Sequence, residues 1–272
     1  MPTIVDKERA GALLRAEFTA IADLGATFDE AAWSTPTCLP GWTVKDTLSH
    51  MVGTESSLAG EAMPTVDLPD LPYLRNDIGK LNEQWVASLR PVPGAELLER
   101  FRSITQQRLV ALDAMTQADF DAPSWTPAGP NETYGRFMRI RHYDCFLHEH
   151  DMRGALGTAD RTDVEPLRFA LEEVLPALGY VVGRKAAMPK GSRVRIHLTG
   201  ALDDEIFVAV DDRAAVVSEL DGALTVGITL PVMLFFELTG GRTDVELYRD
   251  EITTEGDAAL AMQLASNLAF TI

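Results

Sequence analysis

The sequence predicts two structural classes in one chain. An up-down four-helix bundle is expected over 1–160, a connecting helix over 161–190, and a small α+β domain with a mainly antiparallel sheet over 191–272. Three observations predict this. Up to about residue 160, apolar residues recur at helical spacing in long segments separated by Pro- and Gly-bearing stretches. Beyond Gly191 the period changes to two, in short β-branched runs. The chain has 272 residues, of which 46% are hydrophobic and 24% charged, so it is globular and long enough for one large or two ordinary domains.

Residues 6–25 place Ala10, Leu13, Leu14, Phe18, Ile21 and Leu24 on one stripe, with Asp6 as N-cap. The stretch STPTCLPGW interrupts the helical pattern, and Thr43-Val44-Lys45-Asp46 opens a second helix as a near capping box that runs to about Gly60. After the Pro-rich MPTVDLPDLPY, a third helix spans roughly 74–90 and stops at Pro91, and a fourth spans 96–115. A loop holding Trp125, Pro127, Gly129 and Pro130 precedes a fifth helix, 134–156, closed by Gly157. One more helix is expected over 165–184. Strands follow at 194–198, 206–210, 215–217 and 224–228, then a helix from Pro231 to Leu238, a strand over 245–253 and a last helix over 258–268.

A net charge of −17, spread over both halves, argues against general binding to nucleic acid or to anionic lipid, because both need clustered Lys and Arg. No apolar run reaches the length of a membrane span, and the N-terminus has no apolar signal core. Two distant cysteines, Cys38 and Cys145, cannot build a disulfide framework, so reduced thiols and a cytoplasmic location are expected.

Five histidines carry most of the chemical information. Asp144 and His148 are four residues apart on the fifth helix and emerge on one face, with Asp151 one turn further. An imidazole and a carboxylate so placed can share a divalent metal, as helical ligand pairs do, although such a pair more often forms a surface hydrogen bond. A third ligand must come from another helix, and His50 is the one histidine elsewhere in the bundle. It lies with Thr47, Gly53 and Thr54 on a small polar face that suits either solvent or a cavity wall. His142 and His150 flank the ligand face and are expected to be solvated or capping, while Cys145 diverges from it by about 100°. Trp42, Trp85, Trp125 and Tyr134 fit either a pocket wall or core. No G-x-S-x-G, P-loop, G-x-G-x-x-G or C-x-x-C motif occurs.

Four motifs carry a resemblance. L-P-G-W-T-V-K-D-T-L-S-H (39–50) and R-x-x-D-x-x-x-H-x-x-D-x-R-x-A-L-G (141–157) resemble the helix signatures of the mycothiol-dependent maleylpyruvate isomerase family, one of the DinB-like metal-binding bundles. F-F-E-L-T-G-G-R (235–242) and E-G-D (255–257) resemble that family's sterol-carrier-like α+β domain. The resemblance implies a divalent metal, zinc above all, held by His50, Asp144 and His148. The family usually has Glu at position 144, and Asp is one methylene shorter. Asp151 is then an outer residue that orients a ligand imidazole or binds Arg153, and Arg242, with Arg249 a poorer match, supplies a catalytic arginine. The implied reaction is addition of a metal-held mycothiol thiolate to a small, carboxylate-bearing electrophile, as an isomerase or S-transferase. Two other classes fit the same residues: a non-enzymatic ligand-binding or regulatory protein built on the sterol-carrier-like domain, and a thiol-independent metal hydrolase.

Overall fold

The computed structural model describes residues 2–271. Within them two compact units form, 2–161 and 162–271.

In the first unit, Asp6 accepts a hydrogen bond from the Arg9 amide and opens α1, Lys7–Gly25. The short α2, Glu30–Trp33, buries Trp33. Thr43 and Asp46 form a complete capping box at the start of α3, Val44–Leu58, so the near-match in the sequence is a real cap. Then come α4, Asp77–Leu89, α5, Gly94–Ala114, and the short α6, Gln117–Asp121. The segment expected to be a plain loop is a two-stranded ribbon, β1 (Pro123–Thr126) and β2 (Gly129–Thr133), turned at Gly129 with φ of 129°. That positive φ is cheap only for glycine. The unit closes with α7, Tyr134–Ala155.

Four helices make the bundle: α1 and α3 each pack against both α5 and α7. The expected stripe of α1 is buried, and Phe18 meets Phe101 of α5 edge to face at 6.0 Å. At Gly53 on α3 an added Cβ would lie 2.3 Å from the Trp85 ring, so the missing side chain lets α4 approach the helix that carries His50.

Because α7 is enclosed on two faces, His142 departs from the solvated role expected of it: it is fully buried. Its ring stacks on Phe146 at 11° and stands 3.8 Å from the Glu17 carboxylate of α1. His150 is half-buried, with its ring nitrogens 2.8 Å from the Phe146 carbonyl and 3.2 Å from the Arg161 carbonyl. Burial, aided by Arg161, pushes the His142 pKa down to about 3. The unfolded chain takes up a proton below about pH 6.5 that folded His142 refuses, so this group costs stability as the pH falls. Between pH 6.5 and about pH 4 the cost is about 3 kcal/mol. Denaturant titrations at those two pH values are expected to show a shallower acid loss for His142→Phe than for the parent. Identical losses would contradict this role.

In the second unit, α8 (Val164–Tyr180) runs into a π-helical turn, Val181–Lys185. This helix, expected as a connection, is a layer of the α+β unit: it packs on β5, with Gly179 close to the Ala214 backbone. The strands are β3 (Arg193–Thr199), β4 (Asp204–Val210), β5 (Ala214–Val217), β6 (Val226–Pro231) and β7 (Thr253–Gly256). They order as β5-β4-β3-β6-β7, antiparallel except for the β3–β6 pair, where Ile196 lies opposite Ile228. Val194, Ile196 and Leu198 of β3 face the core, and Arg193, Arg195 and His197 take the opposite face. Two helices complete the unit, α9 (Val232–Thr239) and α10 (Ala258–Ala265).

A second element also differs from expectation. The segment expected as a strand over 245–253 is a 3-10 helix, Val245–Glu251, and pairing begins only at Thr253. Asp244 caps its first turn, and Arg249 pairs with Glu246 one turn away. Val245 is buried while Leu247 is 77% exposed, so the alternation a strand needs is absent. No described helix is long and apolar enough to cross a membrane.

Candidate metal centre

The capping box fixes where α3 begins, and six residues later the helix carries His50 inward. On α7, Asp144 and His148 are one turn apart and face His50. His50 Nε2 lies 3.2 Å from Asp144 Oδ2, and His148 Nε2 lies 3.6 Å from Asp144 Oδ1. One donor atom from each residue falls within 4.8 Å of the others. Donors around a tetrahedral zinc stand roughly 3.3 Å apart, given metal–ligand distances of about 2.0–2.1 Å. The three residues named from the sequence therefore come together in space. Both imidazoles are buried, and Asp144 is half-buried.

The electrostatics and hydrogen bonds around the three groups suit ligation. Burial lowers the His50 pKa against the pull of Asp144, which leaves a neutral ring, and its buried Nδ1 has no hydrogen-bond partner among the described residues. Burial raises the Asp144 carboxyl, but Arg141, His148 and His50 together hold it well below the usual carboxylate range. His148 Nδ1 donates to Asp151 Oδ2 at 2.8 Å, which places the proton on Nδ1 and the lone pair on Nε2. Asp151 Oδ1 accepts from the Cys38 thiol at 3.2 Å. Arg153 pairs instead with Glu149, at 2.7 Å. Two imidazole nitrogens and one carboxylate oxygen are a donor set that fits a zinc-like divalent cation with an open position.

Asp151→Asn is expected to weaken zinc binding by about 10–100-fold while leaving the three donors in place. Isothermal titration of the metal-free proteins reads this, and equal affinities would remove Asp151 from the site.

Further residues shape the centre. Trp42 stands beside both rings, its centroid 5.4 Å from His50 and 6.2 Å from His148. Its Nε1 donates to the fully buried Glu83 at 2.9 Å, and Glu83 pairs with Arg90. Trp42 is thus a wall of the centre. Arg141 donates to Asp144, and Glu55 of α3 holds Arg141. Arg141 stands in the R-x-x-D motif, where its spacing to Asp144 is visible, but spacing alone does not reveal that Glu55 will anchor it.

Arg242 and Arg249 belong to the second unit. Arg242 follows α9, and its Nη1 donates to the Gly240 carbonyl at 2.7 Å. Arg249 lies in the 3-10 helix, with its guanidinium on Glu246. A cavity in this unit, of about 250 Å³, is lined by residues such as Leu238, Val245 and Leu268, with Asp244 and Ser266 among them. That is below the ~300–1,000 Å³ usual for small-molecule sites.

A family model described as the mycothiol maleylpyruvate isomerase N-terminal domain matches residues 14–153, half of the chain and the stretch that holds His50, Asp144 and His148. The crystal structure of a mycothiol-dependent maleylpyruvate isomerase aligns with a TM-score of 0.60 and 14% identity, covering 94% of this chain and 96% of that one. A histidine-to-alanine mutant of that isomerase aligns with a TM-score of 0.56, at the same identity and coverage. At such identity the likeness is one of fold: a helical N-terminal region followed by an α+β domain. No curated protein sequence matches the chain significantly.

Proposed function

The chain belongs to the mycothiol maleylpyruvate isomerase family, and we propose that it is a metal-dependent isomerase or S-transferase that uses mycothiol on a small, carboxylate-bearing electrophile. The observation that carries this is the convergence of His50, Asp144 and His148 on one point inside the bundle. A divalent metal held at that point would favour thiolate over thiol near neutral pH and so would supply a nucleophile.

The chain's own residues do the rest. His50, Asp144 and His148 would hold the cation through two imidazole nitrogens and a carboxylate oxygen. Asp151 keeps the His148 ring turned so that Nε2 faces the centre. Trp42, tied back by Glu83, covers the two imidazoles and limits water at that side. Arg242 is the proposed anchor for the substrate carboxylate, through the bidentate fork that a guanidinium offers. A chain of net charge −17 repels an anion at long range, so local positive charge must come from the metal and from such an arginine.

The test is turnover of maleylpyruvate and related unsaturated acids by zinc-loaded protein, with and without mycothiol. Thiol-dependent turnover is expected, and Arg242→Ala is expected to raise KM more for an anionic than for a neutral electrophile. Turnover that is indifferent to thiol would indicate hydrolysis by a metal hydroxide instead. Equal KM effects on both substrates would remove Arg242 from this role.

A further inference from the structure

Beneath the metal-facing side chains lies a chain of buried charges that ligation alone does not require. Arg141 is 3% exposed, and all three of its nitrogens are engaged. Nη1 donates to Asp144 Oδ2 at 2.5 Å, Nε to Glu55 Oε1 at 3.0 Å, and Nη2 contacts the buried Cys145 sulfur at 3.3 Å. The other oxygen of Glu55 accepts from Arg108 Nε at 3.1 Å, and Arg108 Nη2 bonds the Tyr134 hydroxyl at 2.8 Å. Residues of α3, α5 and α7 thus fix the plane of the Arg141 guanidinium.

Without a metal this row is balanced: Arg108 and Arg141 against Glu55 and Asp144. A dication beside Asp144 leaves Arg141 as an excess positive charge in a poorly solvated place, where like charges repel strongly. Arg141 therefore does not serve to raise metal affinity through its charge. What it does to Asp144 is geometric: Oδ2, the oxygen 3.2 Å from His50 Nε2, is already held by a guanidinium anchored on Glu55, which leaves Oδ1, on the His148 side, as the free donor.

Resting on the reading that His50, Asp144 and His148 hold a metal, we infer that Arg141 is a positioning residue that confines Asp144 to one-oxygen ligation. The second oxygen stays on the guanidinium when the metal enters. The short Asp side chain, drawn toward Arg141, occupies one coordination position, and the position a two-oxygen carboxylate would take remains open for a thiol. The arrangement gives up metal affinity for an accessible, electron-poor metal.

The direct test is a crystal structure of the zinc-loaded protein. One Asp144 oxygen is expected at about 2.0–2.2 Å from zinc, with the other still on Arg141. Both oxygens on zinc, or Arg141 turned away, would overturn the inference. Failure of zinc to bind at His50, Asp144 and His148 would instead remove the underlying reading, and the inference with it. A solution test uses cobalt(II) as the probe metal in Arg141→Met, which leaves the Glu55–Arg108 pair intact. Cobalt is expected to bind at least about tenfold tighter, on the scale of outer-partner effects, with weaker visible absorption as coordination number rises. The sulfur-to-cobalt band produced by 2-mercaptoethanol should then need at least about tenfold more thiol. A purely structural Arg141 would lower the melting temperature and leave cobalt affinity, absorption and thiol response unchanged, which would contradict the inference. Should Arg141→Met fail to fold, the zinc-loaded parent structure decides alone.

Discussion

His148→Ala is expected to bind zinc more than about 100-fold more weakly than the parent, a larger loss than the 10–100-fold typical of changing an outer partner. The substitution removes one of two nitrogen donors, and two effects compound. The remaining pair, His50 and Asp144, offers two ligands where a catalytic zinc needs three. In addition the Asp151 carboxylate, nearly buried, loses the Nδ1 donor 2.8 Å away and keeps the Cys38 thiol. Leaving a buried acceptor less satisfied costs about 1–3 kcal/mol, so thermal stability of the metal-free protein should fall as well. Elemental analysis after dialysis against zinc, together with thermal unfolding of the metal-free forms, reads both parts. A His148→Ala protein that retains stoichiometric zinc would show that the metal is held elsewhere.

Arg161→Met is expected to cost about 3–5 kcal/mol of stability, the range for removing one partner of a buried ionic cluster. Arg161 bridges Glu17 of α1 and Glu149 of α7, both fully buried. Its Nη2 bonds Glu17 Oε2 closely and Glu149 Oε2 at 2.8 Å, and its Nε reaches Glu149 Oε2 at 3.0 Å. Burial and the neighbouring Glu149 already push the Glu17 pKa well up. Without Arg161, Glu149 retains Arg153, but Glu17 has lost its cation and its pKa rises further. A carboxyl whose folded pKa lies above its unfolded value stabilises below the unfolded pKa and loses that contribution as the pH rises. The deficit of Arg161→Met relative to the parent should therefore shrink from pH 7 to pH 5. Adding Glu17→Gln should restore part of it at pH 7. A deficit under about 1 kcal/mol at pH 7, or one that grows on acidification, would contradict the cluster's role.

How much of this was legible in the residues depended on range. The α1 stripe, the Thr43 cap and the β3 alternation are local patterns, and each appears where the periodicity places it. The cluster of His50, Asp144 and His148 was legible because two of its members share a helix face and the third was the one histidine left on the bundle's other helices. What stayed hidden is set by tertiary packing. Periodicity cannot say that α7 is enclosed by both α1 and α3, so His142 read as solvated. Nor can spacing say that Glu55 and Arg108, on two other helices, will anchor Arg141 beneath Asp144. The strand expected over 245–253 rests on Val245, Tyr248, Ile252 and Thr253, but a side-chain cap at Asp244 starts a 3-10 helix over 245–251 instead.

The most direct measurement is an equilibrium zinc titration of the metal-free parent beside His50→Ala and Asp144→Ala. One zinc per chain is predicted for the parent, with binding lost in either variant while the helical circular dichroism persists. A parent that binds no zinc-like divalent ion, or variants that bind it as the parent does, would contradict the account.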